Sequence, residues 1–309
     1  MSKPYYEFGD FLKKRFLFRT QKISVNAGFT CPNRDGTKGV GGCTYCNNAT
    51  FNPGYCHTAG QGISAQLEEG IRFFARKYPE MKYIAYFQAY TNTYASIEVL
   101  RRKYEEALAF PGVVGLILGT RPDCMPDALL DYLSRLSEKT FVFIEYGLES
   151  TCDRTLQRIR RGHAWQDSVD AVRRTNERGI PVGAHLILGL PGEDREQLLQ
   201  QAGLISALPL TALKLHQLQI IRHTAMEKEF RAHPEHFRLY GAEAYADLVI
   251  DFLERLRPDI AIDRFVAQSP GHLLIAPDWG LKNHEFTAMV NRRFAVRQTR
   301  QGARFTTSY

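Results

Sequence analysis

Four of the six cysteines lie close together near the N-terminus, and their spacing suits metal binding. Cys31, Cys43, Cys46 and Cys56 fall within 26 residues, whereas the other two cysteines stand apart. Cys43-Thr-Tyr-Cys46 is a C-x2-C pair, which directs two thiolates at one ion or cluster. The glycines before it let the backbone wrap closely around that group. In a chain whose thiols stay reduced, this clustering indicates a metal site rather than a disulfide framework.

Two kinds of metal group fit this spacing. A structural zinc ion would take Cys56 or His57 as its fourth ligand. A [4Fe-4S] cluster would instead be held by Cys31, Cys43 and Cys46 alone, which leaves one iron free to bind a small molecule. The spacing by itself leaves both interpretations open.

Apolar runs rich in β-branched and aromatic residues predict the strands that must position these cysteines. The starts of the runs lie about 30 to 40 residues apart from the second run onward, which is the length of a βα unit. Near-continuous apolar strands favour a parallel sheet covered on both faces. The six runs are residues 22–26, 83–87, 113–118, 141–145, 182–188 and 213–218, with residues 261–266 as a candidate seventh.

The predicted architecture is an α/β partial (β/α)6 TIM-like barrel, because six or seven units are too few for a closed eight-stranded barrel. An open Rossmann-like sheet is the alternative. We expect the barrel to span residues 21–266, with an N-terminal extension at 1–20 and a basic C-terminal extension at 267–309. The cysteine loop follows the first strand and therefore lies at the barrel mouth. This position favours the iron–sulfur cluster, since a large barrel has a sufficient core and needs no structural zinc ion to stabilise it.

The cysteine motif and four further motifs together resemble a known family. Three cysteines after the first strand, ending in Cys-x-aromatic-Cys on a repeating βα chain, resemble the radical S-adenosylmethionine (SAM) superfamily. The first gap is eleven residues instead of the usual three, which resembles the branch containing the Elongator catalytic subunit. The chain further resembles the YhcC-like family of radical SAM proteins, from about residue 8 to residue 279. The motifs that carry this resemblance are Gly28-Phe-Thr-Cys-Pro-Asn-Arg-Asp-Gly36, Phe87-Gln-Ala-Tyr-Thr91, Gly119-Thr-Arg-Pro-Asp-Cys124 and Arg161-Gly-His163.

The resemblance implies cofactors and residue roles. Cys31, Cys43 and Cys46 would ligate a [4Fe-4S] cluster whose open iron chelates SAM. The resemblance implies that Tyr45 packs near adenine and that Gln88 and Tyr90 lie in the turn near the methionine amino group. It implies that Glu149 contacts the ribose and Arg161 the carboxylate. The backbone of Gly189 and Leu190 would lie beside adenine. Glycines typical of the superfamily are absent from the turn at 88–91.

Three titratable side chains stand on otherwise apolar strands. Glu145 must find a cationic partner if it points inward, and Arg121 or Lys214 would serve. A structural ion pair and a contact to SAM or substrate are equally open for Glu145. His185 and His216 are expected to be core or cavity-lining residues, with acid–base catalysis as the lesser alternative.

The remaining cysteines carry weaker signals. Cys56 is interpreted first as a bystander, with a fourth zinc ligand and a radical-quenching thiol as the alternatives. Cys124 follows a turn at a strand end and is interpreted as a buried structural thiol, with a cavity-facing position as the alternative. Cys152 is interpreted as structural.

Composition and charge bound the functional classes. The 309 residues are 44% hydrophobic and 24% charged, which excludes wholesale disorder. No apolar run approaches the roughly 20 residues of a membrane helix, so we expect a cytoplasmic protein without membrane contact. The net charge of +7 resides in the flanks: residues 1–22 hold six basic and two acidic residues, and residues 281–309 hold six and one. These ends either grip an anionic substrate or are solvated tails.

The sequence therefore predicts a radical SAM enzyme but does not identify its substrate. One hypothesis is tRNA, suggested by the Elongator-like branch and the basic ends. The others are a small metabolite or cofactor precursor and, from a different class, a non-catalytic zinc-binding module. A radical SAM reaction implies an electron donor such as flavodoxin or ferredoxin.

Overall fold

The computed structural model describes residues 3–51, 62–75 and 80–306. Seven of its strands form one parallel sheet in the order β1-β2-β3-β4-β5-β6-β8, and β7 pairs with β9 in an antiparallel ribbon. The described strands are β1 (Thr20–Val25), β2 (Lys82–Phe87), β3 (Val113–Thr120), β4 (Phe141–Glu149), β5 (Val182–Leu188), β6 (Ala212–Gln217), β7 (Ile220–Ile221), β8 (Ala261–Arg264) and β9 (Leu274–Ala276).

The predicted partial barrel is confirmed, with a seventh strand added to the six of the prediction. The seventh strand, β8, occupies the last apolar run of the sequence and pairs in parallel with β6. The sheet curls so far that Lys22 on β1 places its Nζ 2.7 Å from Asp263 Oδ2 on β8, although these two edge strands do not pair. The result is an open half-barrel with a polar interior layer.

Amphipathic helices cover the outer face of the sheet. In α4, for example, Leu129, Leu130 and Leu133 recur at helical spacing and are buried against the sheet. The described α-helices are α1 (Phe8–Arg15), α2 (Ile63–Ala75), α3 (Ile97–Ala109), α4 (Asp127–Ser137), α5 (Asp153–Arg158), α6 (Trp165–Glu177), α7 (Arg195–Ser206), α8 (Ala225–Ala232), α9 (Ala242–Arg255) and α10 (Asn283–Arg297). Short 3-10 turns lie at Asn48–Phe51, Pro122–Cys124 and Pro234–His236.

The N-terminal extension closes the lower end of the barrel. Helix α1 inserts Phe8 and Leu12 into an apolar cluster that includes Phe143 on β4. The Phe8 and Phe143 rings meet edge to face at 5.2 Å between centroids. This plug leaves the opposite end of the barrel, where the parallel strands terminate, as the open end.

The C-terminal extension packs on α9 as an ordered helix. Phe286, Val290 and Phe294 of α10 are buried, and on its polar side Arg297 pairs with Asp247 and Asp251. Much of the basic charge predicted for this end is therefore neutralised within the fold. In the part of the chain that the structure describes, no helix combines the length and apolarity needed to cross a membrane.

Candidate functional site

The three cysteines of the predicted site lie on one loop after β1 and line one cavity at the open end of the barrel. Tight turns shape the loop: Cys31 O accepts a hydrogen bond from Arg34 N at 2.8 Å, and Cys43 O accepts one from Cys46 N at 3.0 Å. Gly42, directly before Cys43, has φ of +87°. Because only glycine adopts that conformation at little cost, the glycine run allows the chain to turn back toward the cavity.

Side-chain donors surround two of the thiols. Asn33 Nδ2 and Arg161 Nη1 lie 3.4 and 3.6 Å from Cys43 Sγ, and Asn48 Nδ2 lies 3.5 Å from Cys46 Sγ. Burial and the neighbouring Cys43 raise the pKa of the Cys46 thiol to about 12. A bound metal would offset the free-energy cost of deprotonating this thiol, because cysteine binds metals as the thiolate. The N–H donors also stabilise the charged sulfur. Neither asparagine was among the site residues predicted from the sequence, although each lies two residues from a cysteine.

The spacing of the three sulfurs bears on which metal group they could hold. The sulfurs of Cys31, Cys43 and Cys46 do not all lie within 4.8 Å of one another. A single zinc ion with Zn–S bonds of about 2.3 Å would hold them about 3.8 Å apart. Within residues 3–51, 62–75 and 80–306, a set of three ligands that close together occurs at the exposed His233, Glu235 and His236 instead. The predicted alternative fourth zinc ligands, at positions 56 and 57, lie outside the described residues.

Arg161 links the cysteine loop to the end of β4. Its Nη2 donates to Gly147 O at 2.6 Å and lies 3.5 Å from Glu149 Oε1. A Cβ at position 147 would lie 2.5 Å from Glu149 Oε1 and 2.7 Å from Arg161 Nη2, so a larger residue there would displace one of these side chains. The Arg161 side chain is buried, yet its Nε has no hydrogen-bond partner among the described residues. The guanidinium therefore has capacity to bind an anionic group beside the cysteines.

Three more of the predicted contacts line the same cavity. Tyr45 is half-buried between two of the cysteines, and burial and the charge of Glu149 raise the pKa of its phenol. Gln88 and Tyr90 follow β2, and Tyr90 has φ of +63° with its N–H bonded to Asn48 Oδ1 at 2.9 Å. The turn after β2 is thereby fastened to the cysteine loop without glycine.

The structure places other predicted residues away from this cavity. Gly189 and Leu190 are not among its lining residues, and Leu190 is buried in an apolar cluster with Leu156 and Ile187. Cys124 is buried beside Asp123 and likewise does not line the cavity. Burial raises the pKa of its thiol to about 12, as expected for an unreactive structural thiol.

A layer of charged side chains crosses the barrel below the cavity. Glu145 Oε2 accepts from Lys214 Nζ at 2.6 Å and lies 3.0 Å from His185 Nε2. Lys22 Nζ lies 3.6 Å from the other Glu145 oxygen. Burial alone would raise the pKa of Glu145, but Lys214 and Lys22 hold it well below its usual range. Of the two cationic partners predicted for Glu145, Lys214 is the one that pairs with it.

The other suggested partner of Glu145 has a different role. Arg121 binds Asp123 through two contacts of 2.9 Å and is nearly fully buried. This bidentate pair stiffens the turn after β3. Lys22, which the charge count assigned to a basic N-terminal end, lies inside the barrel instead.

The cavity runs from the cysteines down to this charged layer. Its volume is about 1200 Å³ including the open mouth. Tyr86, Glu145, His185 and His216 line its lower part.

Sequence comparison identifies the family. A model of the Radical SAM superfamily matches residues 29–204, and a model of the Radical_SAM C-terminal domain matches residues 210–295. The uncharacterized protein YtqA of Bacillus subtilis is 35% identical over 98% of this chain and 93% of its own length. The protein YhcC of Escherichia coli is 37% identical over 88% of this chain and 86% of its own length.

One solved structure shares the fold, and a further relative matches part of the sequence. Archaeal Elp3 from Methanocaldococcus infernus superposes with a TM-score of 0.65 at 16% identity, covering 91% of this chain and 64% of the Elp3 chain. A tRNA uridine(34) acetyltransferase of Dehalococcoides mccartyi is 27% identical over 55% of this chain and 36% of its own length. The resemblance seen in the cysteine loop and strand-end motifs is confirmed, and the chain belongs to the radical SAM superfamily.

Proposed function

We propose that this chain is a radical SAM enzyme that binds a [4Fe-4S] cluster through Cys31, Cys43 and Cys46 and modifies tRNA. Bound together and reduced by a flavodoxin- or ferredoxin-like donor, cluster and SAM supply a 5′-deoxyadenosyl radical that abstracts hydrogen from the substrate. The observation that carries the proposal is the convergence of three thiols at the mouth of a deep barrel cavity. Their spacing exceeds that of a single zinc ion, which supports a cluster.

In this proposal the surrounding side chains take the roles that the resemblance to the radical SAM superfamily implies. Arg161 pairs with the SAM carboxylate, because its buried guanidinium keeps one unused donor. Glu149 reaches the ribose hydroxyls from the end of β4, and Tyr45 packs near adenine. Gln88 and Tyr90 approach the methionine amino group from the turn after β2.

The remaining proposed contact is made by the segment after β5. Gly189 and Leu190 would flank adenine through their backbone, although neither lines the main cavity. Leu190 is buried, so it would act through its backbone groups alone.

The choice of tRNA is supported by the partial match to the tRNA uridine(34) acetyltransferase and by the charges at the mouth. Arg34 and Arg222 are exposed beside the cysteine loop, and Arg222 O accepts from Asn47 Nδ2 at 2.9 Å. Arg160 is exposed at the other side of the loop, where its carbonyl accepts from Asn33. Within the described residues none of the three arginines has an ion-pair partner, so they can contact phosphates.

The cluster is tested by anaerobic reconstitution. We expect a brown protein with iron and sulfide that releases 5′-deoxyadenosine from SAM after reduction. Cys43→Ala should abolish this release, whereas the matched control Cys152→Ala should retain it because Cys152 does not line the cavity. A colourless protein with one tightly bound zinc would instead support the zinc-binding module.

The substrate class is tested with the same preparation. Unmodified tRNA should increase 5′-deoxyadenosine release and should bind with an affinity that falls steeply with salt. No affinity for tRNA at low salt would favour a small metabolite or cofactor precursor. Nucleoside profiling of a deletion strain would identify the modified position.

A further inference from the structure

Two histidines in the lower cavity have no role in the cofactor site. His185 on β5 and His216 on β6 both line the cavity beneath the cysteine loop. Their ring centroids lie 5.4 Å apart, with the ring planes inclined by 31°. The two rings therefore lie side by side in the wall of the lower cavity.

Hydrogen bonding fixes the tautomer of His185. Its Nε2 lies 3.0 Å from Glu145 Oε2, and two lysines keep Glu145 ionised. A carboxylate only accepts hydrogen bonds, so Nε2 must carry the proton. Burial, followed by the charge of Lys214, lowers the pKa of His185 and keeps the ring neutral. Its Nδ1 is then a hydrogen-bond acceptor.

The neighbouring ring has the opposite arrangement. His216 Nε2 lies 3.4 Å from Arg264 Nη2. Arginine only donates, so Nε2 of His216 accepts and the proton resides on Nδ1. Burial and the charge of Arg264 lower the pKa of His216 well below its usual value, so this ring is also neutral. Its Nδ1–H is therefore a donor.

The two Nδ1 atoms remain available for a ligand. Across the described part of the chain, no side chain or backbone group bonds to Nδ1 of either His185 or His216. A carboxylate or phosphate offers acceptors alone and would satisfy only His216. An amide or imide edge offers an N–H beside a C=O, which are the donor and the acceptor that the two rings require.

We propose that His185 and His216 bind the imide edge of the substrate, with His185 Nδ1 accepting its N–H and His216 Nδ1–H donating to its carbonyl. This inference rests on the proposed function, in which the substrate is an RNA base, and it specifies a base with an imide edge such as uracil. Glu145 acts here as a positioning residue, because it selects the tautomer of His185.

The tautomers are tested by nitrogen-15 NMR of the imidazoles in the reconstituted holoenzyme with SAM. Resonances are assigned by their loss in His185→Phe and His216→Phe, and His284→Phe is the matched control at an exposed position on α10. We expect neutral rings at pH 7.5, protonated on Nε2 in His185 and on Nδ1 in His216. A charged ring, or the same tautomer in both, overturns the proposal.

Ligand binding is tested by titrating the same sample with uridine and with 3-methyluridine, which lacks the imide N–H. Uridine should shift both Nδ1 resonances, and 3-methyluridine should bind at least about tenfold more weakly because one hydrogen bond is lost. No response to uridine, or equal affinity for both nucleosides, overturns the proposal.

A tRNA assay separates this proposal from the proposed function. If tRNA stimulates 5′-deoxyadenosine release equally in the wild type and in the His185→Phe/His216→Phe variant, the imide site is wrong and the proposed function stands. If the nucleosides discriminate as expected but tRNA neither binds nor stimulates, the imide site stands and tRNA is wrong as the substrate.

Discussion

The two ends of the half-barrel differ in how completely their side chains are satisfied. At the lower end, Phe8 packs edge to face against Phe143, and helix α1 buries Phe8 and Leu12 in an apolar cluster. At the open end, the buried Arg161 has an Nε without a hydrogen-bond partner among the described residues, and the pKa of the half-buried Cys46 thiol is raised. The closed end contributes stability, whereas the open end retains unsatisfied groups that a ligand can use.

This contrast predicts that mutations at the two ends affect different measurements. Lower-end variants should reduce the free energy of unfolding and leave cofactor binding intact. Open-end variants should weaken cofactor binding and leave the free energy of unfolding nearly unchanged. The charged layer around Glu145 lies between the two ends and should contribute to both.

The largest expected effect on stability is at the plug. Phe8→Ala should lower the free energy of unfolding by about 3–5 kcal/mol, because it removes a buried ring that contacts Phe11 and Phe143. The measurement is urea unfolding of the reconstituted protein. Phe18→Ala is the control, since Phe18 is 41% exposed and should cost far less. A stable Phe8→Ala variant that has lost SAM cleavage would contradict the separation of the two ends.

The next effect is on cofactor affinity at the open end. Arg161→Gln should weaken SAM binding by roughly 10- to 100-fold, since it removes the charge beside Cys43 and the partner of Glu149. Isothermal titration with SAM under anaerobic conditions measures this change. Arg121→Gln is a comparison at another buried arginine, whose loss should reduce stability through Asp123. Equal SAM affinity in wild type and Arg161→Gln would show that the free Nε is not a ligand site.

The sequence predicted the strands and the cysteine site because those signals are local. Apolar runs and a C-x2-C pair are read within a few residues, and each indicates a strand or a loop by itself. The pairing of Lys22 with Asp263 spans 241 residues and depends on how far the sheet curls. For that reason Lys22 looked like part of a basic end. The choice between Arg121 and Lys214 as partner of Glu145 likewise required the register of β4, β5 and β6.

A smaller effect is expected on the salt dependence of tRNA binding, in which two sets of arginines should behave differently. Replacing Arg34, Arg160 and Arg222 at the mouth with glutamine should reduce the slope of log affinity for tRNA against log salt by about one per residue. Replacing Arg293 and Arg297 on α10 should leave the slope unchanged, because those arginines pair with Asp247. Filter binding at several salt concentrations gives both slopes. A larger change for the α10 pair would place the RNA contact at the C-terminal extension.

The smallest effect concerns the charged layer between the two ends. Burial lowers the pKa of His185 and His216 below the value near 6.5 expected in the unfolded chain. The unfolded state therefore binds more protons below pH 6.5, so stability is fully present above that pH and is lost as the pH falls. Between pH 7.5 and 5.5 the loss should reach up to about 1.4 kcal/mol per ring.

Urea titrations at the two pH values measure that loss. The wild type and His284→Phe should show the same pH dependence, because His284 is exposed. The His185→Phe/His216→Phe variant should show a smaller dependence, since neither position can then take up a proton on unfolding. If the double variant loses as much stability between the two pH values as the wild type, groups other than these two histidines cause the acid sensitivity. The charged layer around Glu145 would then contribute to stability without a pH dependence of its own, as the closed end does.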